Sequence, residues 1–540
     1  MTAQLLLGAE AVGQGAMDAG ISGAYAYPGT PATEITEFIQ NSKQAQMMGI
    51  RAAWSTNEKT AYEAALGMSF AGKRSIVSMK HVGLNVAADA FINSAITGVR
   101  GGLVITVADD PSMHSSQNEQ DSRAYAKFAM VPALEPANQQ ELYDAMFHAF
   151  ELSENLRLPV MVRITTRLSH SRSGVVRRAP VSQNPLNPET DPNRFVLVPM
   201  NARVQYASLL EKQPSLVALS TVSPMNALSY ATDNRSLGII ACGIGYNYVM
   251  ETLQSQSLNI SVCKVGQYPL SMSVVDPFIA QHDSILVVEE GYPIYEELLG
   301  GLQNTGKIRG RLTGTLPRMG ELNPNTVKQA ICGVTESKSP IEDPPMTALM
   351  PVPTRPPQLC TGCSHIDLFN ALNAVLCNVE ERHVFSDIGC YALGALPPFN
   401  SLQTCVDMGA SVTMAKGAAD AGLRPAVCVI GDSTFTHSGM TGLLDAVNDQ
   451  TSMTVIISDN FTIAMTGGQP SAATNRLRDI CLGLGVSSEH LRIIVPLARN
   501  HDENVAVLKE EFAYEGVSVI IAQRECIQAA KRNKKLLQKK

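Results

Sequence analysis

The chain has 540 residues, more than a single hydrophobic core serves, so several domains are expected. Hydrophobic residues make up 45% and charged residues 17%, which excludes a disordered chain; 40 glycines with only 5% aromatics point instead to close-packed α/β layers. A formal charge of −7 leaves no electrostatic footprint for nucleic acid, and no apolar run reaches the roughly 18 residues needed to span a bilayer. The opening MTAQLLLGAEAVGQ lacks a basic n-region, so a cytoplasmic protein is expected.

In chain order, β-branched runs alternate first with Ala- and Gly-rich helical stretches, as in GAYAYPGTPATEITEFIQ, RSIVSMKHVG and GGLVITVADD. Each short strand ends in a turn before a helix, the pattern of a parallel sheet. This predicts an α/β domain over 1–190 that closes in SGVVRRAPVSQNPLNPETDPNR, a stretch with the Pro, Asn and Asp density of a linker. A second α/β domain over 195–335 contains LGIIACGIGYNYVMETLQ and SILVVEEGYPIYEELL and stops before the proline-rich SKSPIEDPPMTALMPVPTRPPQ. A third over 345–530 holds the strands AVCVIGD, MTVIISDN and VSVIIAQREC. Residues 531–540 carry six Lys or Arg, read as a frayed, solvated tail that can also dock an acidic carrier. The fold class is α/β, with three doubly wound domains.

Several residues sit where ligands bind in such sheets. His81, His114 and Arg123 occupy loops after strands, where a polar group either reaches a ligand or caps the surface. Gly431-Asp432-Ser433-Thr434 ends one strand and Ser458-Asp459-Asn460 ends the next, placing Asp432 and Asn460 at the carboxyl ends of neighbouring strands. A magnesium ion on a diphosphate wants hard oxygens, which Asp432, Asn460 and the Thr462 carbonyl can supply, while the small residues after Asp432 let backbone N–H groups approach phosphate.

Eleven cysteines, none before Cys242, do not read as a disulfide framework in a chain without an export signal. Cys242, Cys263, Cys332, Cys377 and Cys428 are read as small apolar core residues. Cys360-Thr-Gly-Cys363, Cys390 and Cys526 form a thiolate set whose spacing suits zinc or an iron–sulfur cluster equally. Cys481 is an alternative fourth ligand in a helical setting.

GDSTFTHSGMTGLLDAV, SDNFTIAMTGGQP and MKHVGLNVAAD together resemble the indolepyruvate:ferredoxin oxidoreductase alpha-subunit family, thiamine-diphosphate enzymes acting on 2-oxoacids, over nearly the whole chain. Ser433 stands where thiamine enzymes usually carry the second glycine of a GDG motif. The resemblance implies, in order, a pyrimidine-binding domain, a transketolase C-terminal-like domain and a diphosphate-binding domain. It implies thiamine diphosphate with Mg²⁺ held by Asp432, Asn460 and Thr462, and cofactor contacts from Gly409, Gly431, Ser433 and Thr434. It assigns Glu58 of NEKTAYEAALG, rather than Glu63, to the aminopyrimidine ring; read alone, Glu58 is also an ordinary first-turn helix carboxylate. Thr30 of YPGTP is implied to meet the substrate carboxylate, and His437 can move protons.

The same resemblance implies that Cys360, Cys363, Cys390 and Cys526 ligate one [4Fe-4S] cluster. The expected activity is oxidative decarboxylation of an aryl-pyruvate-like 2-oxoacid to its acyl-CoA, with coenzyme A as co-substrate. A smaller beta subunit, a dimer of heterodimers and a ferredoxin or other electron carrier are the implied partners. The sequence has no C-x2-C-x2-C-x3-C-P run, so the ferredoxin-like domain usual in the family is not expected here. A non-oxidative 2-oxoacid decarboxylase and a non-catalytic subunit of a larger complex remain the competing readings.

Overall fold

The computed structural model describes residues 3–232, 234–301, 306–335, 357–379 and 382–537. Nearly all of the proline-rich stretch that separates the second and third expected domains, and residues 538–540, lie outside them. The chain divides into two units, Met1–Thr347 and Ala348–Lys540.

The first unit contains a seven-stranded sheet in the order Gln267–Tyr268, Ala133–Leu134, Val160–Thr165, Leu103–Asp109, Ser75–Lys80, Gly23–Ala26, Arg51–Trp54. All pairings are parallel except that of Gln267–Tyr268 with Ala133–Leu134. Leu103–Asp109 and Ser75–Lys80 are buried along their whole length, which explains why they read as unbroken apolar runs rather than alternating ones. Helices Gly8–Asp18 and Gln139–Leu156 pack together, as do Glu58–Phe70 and His81–Thr97.

A second sheet in this unit runs Ile308–Arg309, Ser284–Val288, Leu237–Cys242, Ser261–Val265, Ala227–Ser229, with only the last strand antiparallel. The two sheets share one apolar core, and a buried ionic network joins them. Arg163 is 1% exposed, bonds Asp109 at 2.6 Å and Glu135, and donates to the carbonyl of Glu290 at 2.8 Å. Tyr268 donates to the same Glu135. Burial of so many charges is tolerable because each faces an opposite charge.

The segment expected as a linker is tied back onto the first unit's N-terminal strand and helices. Arg172–Val175 pairs antiparallel with Gln4–Leu7, Arg177 bonds the buried Asp18 at 2.7 Å, and the Asn187 amide donates to the Ala71 carbonyl at 2.9 Å.

The second unit holds a fully parallel five-stranded sheet, in the order Val384–Ser386, Val427–Gly431, Met453–Asp459, Val517–Gln523, Leu491–Ile494. Cys481, in helix Leu477–Gly483, is wholly buried and packs in its apolar core. Cys242, Cys263, Cys332 and Cys428 are also buried, but Cys377 is exposed: it stands one residue beyond helix Ser364–Leu376, where the core side of the helix has run out. The basic C-terminal segment, expected to be frayed, is helical over Ile527–Leu537, and Arg532 ties it down by donating to the carbonyls of Gly467 and Gly468, the latter at 2.7 Å. No described helix is long and apolar enough to cross a membrane.

Candidate functional site

In the second unit the register places Gly431 beside Ser458, so Asp432 and the Asp459-Asn460 pair leave the same edge of the sheet from adjacent strands. Asp432 is 2% exposed, and its Oδ1 accepts the Ser433 N–H at 2.7 Å. Its Oδ2 is buried with no hydrogen-bond partner among the described residues. Burial, and after it the charge of Asp459, pushes the Asp432 carboxyl up to about 7. A buried carboxylate with one oxygen unpaired beside a second acid is suited to taking a cation.

The neighbouring groups are hard oxygen donors. Asn460 turns its Oδ1 onto the Thr462 N–H at 3.1 Å, and Phe461 between them takes a left-handed φ of 63°, which curls the loop back over the strand end. Asp459 is engaged elsewhere, accepting from Phe461 N–H at 3.2 Å and Gln523 at 2.9 Å. The donor set fits a magnesium ion, with Asp432 as carboxylate, Asn460 as amide and Thr462 as carbonyl.

Ser433 and Thr434 follow in a three-residue helix that opens into a π-turn over Phe435–Gly439 before helix Met440–Asn448. Such widened turns recur at functional sites. This one carries His437, 4% exposed, with Nδ1 at 2.5 Å from the Ser438 hydroxyl. Gly409 packs directly on the turn: it sits at φ 91°, and a Cβ there would stand 2.5 Å from the Ser438 Cβ.

Gly409 is held by Asp387, a residue that sequence reasoning passed over. Asp387 is fully buried; its Oδ2 accepts from the Gly409 N–H at 3.2 Å and from the Ser411 hydroxyl at 2.6 Å, and Tyr391 donates to its other oxygen. Burial pushes its carboxyl up to about 6. The sequence signal was only an acid directly after the strand Val384–Ser386, where parallel sheets bind or brace a ligand.

Charges on Cys360, Cys363 and Cys526 act on Cys390, and those on Cys360 and Cys526 act on Cys363, so the four lie in one neighbourhood of the second unit. Burial pushes the Cys390 thiol up to about 12, and charge on Cys363, Cys526 and Cys360 acts on it in the same direction. Cys363 is raised by burial and likewise by Cys360 and Cys526. Among the described residues no three His, Cys, Asp or Glu side chains stand closely enough to hold a single metal ion. His365, also missed, is 2% exposed with Nδ1 at 3.1 Å from the Cys363 sulfur. Beside Cys526 a cavity of about 580 Å³ opens between the Thr462–Gly468 loop and the C-terminal helix, with Lys531, Arg532, Lys534 and Lys535 on its wall.

In the first unit, Glu58 is the first residue of helix Glu58–Phe70, whose N-terminus Asn57 caps by accepting the Thr60 N–H at 2.8 Å. Glu58 is 4% exposed and its carboxyl lies against Gly83, where a Cβ would meet Oε1 at 2.6 Å. Glu63, its sequence rival, is on the surface in an ion pair with Lys59.

Thr30, His81 and His114 lie on or beside one group of loops, and Arg123 does not join them. The Ser115 hydroxyl donates to the Thr30 carbonyl at 3.4 Å. His81 begins helix His81–Thr97, is 1% exposed, and places Nε2 at 3.2 Å from Asn118. His114 is largely exposed, 3.5 Å from Glu321. Arg123 is 3% exposed and ion-paired with Asp121 at 2.5 Å, Glu289 at 3.0 Å and Glu135 at 3.7 Å, inside the network that joins the two sheets. Lys80, next to His81 and not singled out in the sequence, is 8% exposed and donates to the Ser115 carbonyl at 2.6 Å.

Comparison with known proteins shows the family of the chain. Residues 14–207 match the family described as pyruvate flavodoxin/ferredoxin oxidoreductase, thiamine diphosphate-binding, and residues 387–521 match the thiamine pyrophosphate enzyme C-terminal TPP-binding domain. The chain is 40% identical to indolepyruvate oxidoreductase subunit IorA of Methanothermobacter marburgensis, over 97% of this chain and 86% of the relative. It is 35% identical to the IorA subunit of Pyrococcus horikoshii, over 97% and 85% respectively. The solved 2-oxoglutarate:ferredoxin oxidoreductase of Magnetococcus marinus, with 2-oxoglutarate, coenzyme A and succinyl-CoA bound, shares the fold with a TM-score of 0.52 at 15% identity, over 62% of this chain and 65% of that one.

Proposed function

From the premise that this chain belongs to the IorA family of indolepyruvate oxidoreductases, as the alpha subunit of a thiamine-diphosphate-dependent 2-oxoacid oxidoreductase, we propose that it oxidatively decarboxylates an aryl pyruvate such as indolepyruvate. The balanced reaction takes a 2-oxoacid and the thiol of coenzyme A to an acyl thioester, CO2, one proton and two electrons. We assign residues 1–190 to the pyrimidine-binding domain, 195–335 to the transketolase C-terminal-like domain and 345–530 to the diphosphate-binding domain. The observation that carries the reading is the partnerless Oδ2 of buried Asp432 beside Asn460 and the Thr462 backbone, a cation site at the carboxyl edge of the sheet.

When bound, thiamine diphosphate supplies the nucleophilic carbon and the electron sink for loss of CO2, and a [4Fe-4S] cluster supplies one-electron acceptance. Asp432, Asn460 and the Thr462 carbonyl would hold Mg²⁺ for the diphosphate, and the small residues Ser433 and Thr434 would leave room for it at the strand end. Glu58 holds a proton against the aminopyrimidine ring from a dry setting, and the Gly83 surface fixes where its carboxyl points. His437 moves protons at the diphosphate end, its imidazole oriented by Ser438. Thr30 and His81 face the substrate. Cys360, Cys363, Cys390 and Cys526 would hold the cluster, and the proposed acceptor of the electrons is ferredoxin or another protein carrier. A smaller beta subunit completes the enzyme, as a cytoplasmic dimer of heterodimers.

The test is anaerobic reduction of a low-potential dye by the purified complex. Bleaching that requires both a 2-oxoacid and coenzyme A is expected; aldehyde formation with no dye reduced overturns the reading. A panel of indolepyruvate, phenylpyruvate, pyruvate and 2-oxoglutarate then sets the substrate class, with the aryl acids expected to have the highest kcat/KM.

A further inference from the structure

Lys80 is a buried cation without a carboxylate partner. It ends the fully buried strand Ser75–Lys80 and is only 8% exposed, yet among the described residues no acidic oxygen lies within ion-pair distance of its ammonium. Of its three N–H donors, one goes to the Ser115 carbonyl at 2.6 Å. The acid whose charge acts on it, Asp110, is already occupied: Oδ2 accepts from Ser115 N–H at 2.8 Å and the Ser116 hydroxyl at 2.6 Å, and Oδ1 from the Thr166 hydroxyl at 2.6 Å. Burial outweighs Asp110 and lowers the ammonium to about 8.

Its surroundings are those of a ligand site. The Tyr27–Pro31 turn lies across the Lys80 stem, since a Cβ on Gly29 would stand 3.2 Å from the Lys80 Cβ. Ser115, which takes the ammonium's hydrogen bond, also donates to the Thr30 carbonyl. The adjacent His81 is 1% exposed and its Nδ1 is buried with no hydrogen-bond partner among the described residues. Arg123, the cation that the sequence offered for this role, lies away from these loops and is neutralised by three carboxylates.

We infer that the Lys80 ammonium binds the carboxylate of the 2-oxoacid, a role left to it because Arg123 is committed to the inter-sheet network. This rests on the 2-oxoacid reading above. Lys80 is a binding group: removing it weakens substrate capture far more than turnover, because the carboxylate it holds is the group that leaves.

The discriminating comparison pairs an aryl pyruvate with the corresponding aryl acetaldehyde, which yields the same acyl-CoA, two protons and two electrons with no carboxylate to bind. In the complete complex, Lys80→Met is expected to raise KM for the aryl pyruvate about 10- to 100-fold, the worth of a charge-assisted hydrogen bond, with kcat within about threefold. Aldehyde oxidation should change less than about threefold, and Lys80→Arg should recover much of the lost affinity. The unmutated enzyme gives an independent reading: kcat/KM for the aryl pyruvate falls above about pH 8 while that for the aldehyde does not, with His81, Asp109 and Asp110 as the other titratable groups in the loops. Equal losses on both substrates, an unchanged KM, or identical pH profiles overturn the inference. A wild-type complex that oxidises neither substrate overturns the 2-oxoacid reading instead.

Discussion

The backbone N–H of Cys526 donates to the carbonyl of Asn460 at 3.2 Å. Their strands are parallel neighbours, with Asp459 paired to Gln523, so the candidate magnesium loop and a candidate cluster thiol are clamped to one sheet edge by main-chain geometry. Side-chain substitution leaves that clamp intact, which makes Cys526 separable from cofactor binding.

Cys526→Ser is therefore expected to lose most of the iron and sulfide, and more than about 95% of dye reduction, while still binding thiamine diphosphate within about threefold of wild type. Anaerobic iron analysis beside cofactor titration checks both halves. Full iron content in the variant would falsify the ligand assignment.

Asp432→Asn removes the charge but keeps the size of the side chain. Because the wild-type carboxylate has no other partner for Oδ2, the variant should need at least about tenfold more Mg²⁺ to hold thiamine diphosphate, and chelator should strip cofactor from wild type. Equilibrium binding across a magnesium series measures this. An unchanged magnesium requirement sinks the assignment.

Gly409→Ala must place a methyl 2.5 Å from the Ser438 Cβ while holding φ at 91°. The expected cost is about 1–3 kcal/mol, felt in the π-turn bearing His437, with a cofactor affinity loss above about tenfold. Ser438→Gly leaves that Cβ out and should restore part of the affinity in the double variant.

For Glu58, the conservative change to Gln should lower kcat by about 10²–10⁴ with the fold and cofactor affinity retained. Gly83→Ala reaches the same carboxyl from outside, since its Cβ would lie 2.6 Å from Oε1. It should lower kcat without touching a titratable group. Full activity in Glu58→Gln would return Glu58 to an ordinary helix-start carboxylate.

Glu290 offers a stability test remote from the proposed chemistry. It is 1% exposed, accepts from Leu322 N–H at 3.0 Å, and burial raises its pKa from 4.5 to about 6 against the opposing pull of Leu322 and Arg163. A folded pKa above the unfolded one means its contribution is fully present below pH 4.5 and is lost as pH rises through 6. Glu290→Gln should therefore stabilise the protein by up to about 2 kcal/mol at pH 7.5, the gain fading between pH 6 and 4.5. Thermal melts at the two ends of that range decide it.

The sequence by itself determined the α/β class and the thiamine-enzyme motif, because both are local. Strand ends announce themselves by an apolar run stopping at Gly431-Asp432 or Asp459-Asn460, and a helix start by Asn57 before Glu58. Family membership was legible for the same reason: GDSTFTHSG and MKHVGLN are contiguous strings. What only the tertiary structure decided depends on partners distant in sequence. Arg123 looked like a loop cation until Glu135 and Glu289 surrounded it, and Asp387 looked incidental until Gly409 and Ser411 were seen to hang from it. Lys80 only closes a strand, and its lack of a counter-ion is a property of the whole packed neighbourhood. A side chain's chemistry is set by what desolvates and neutralises it, and in this fold those groups arrive from elements tens to hundreds of residues away.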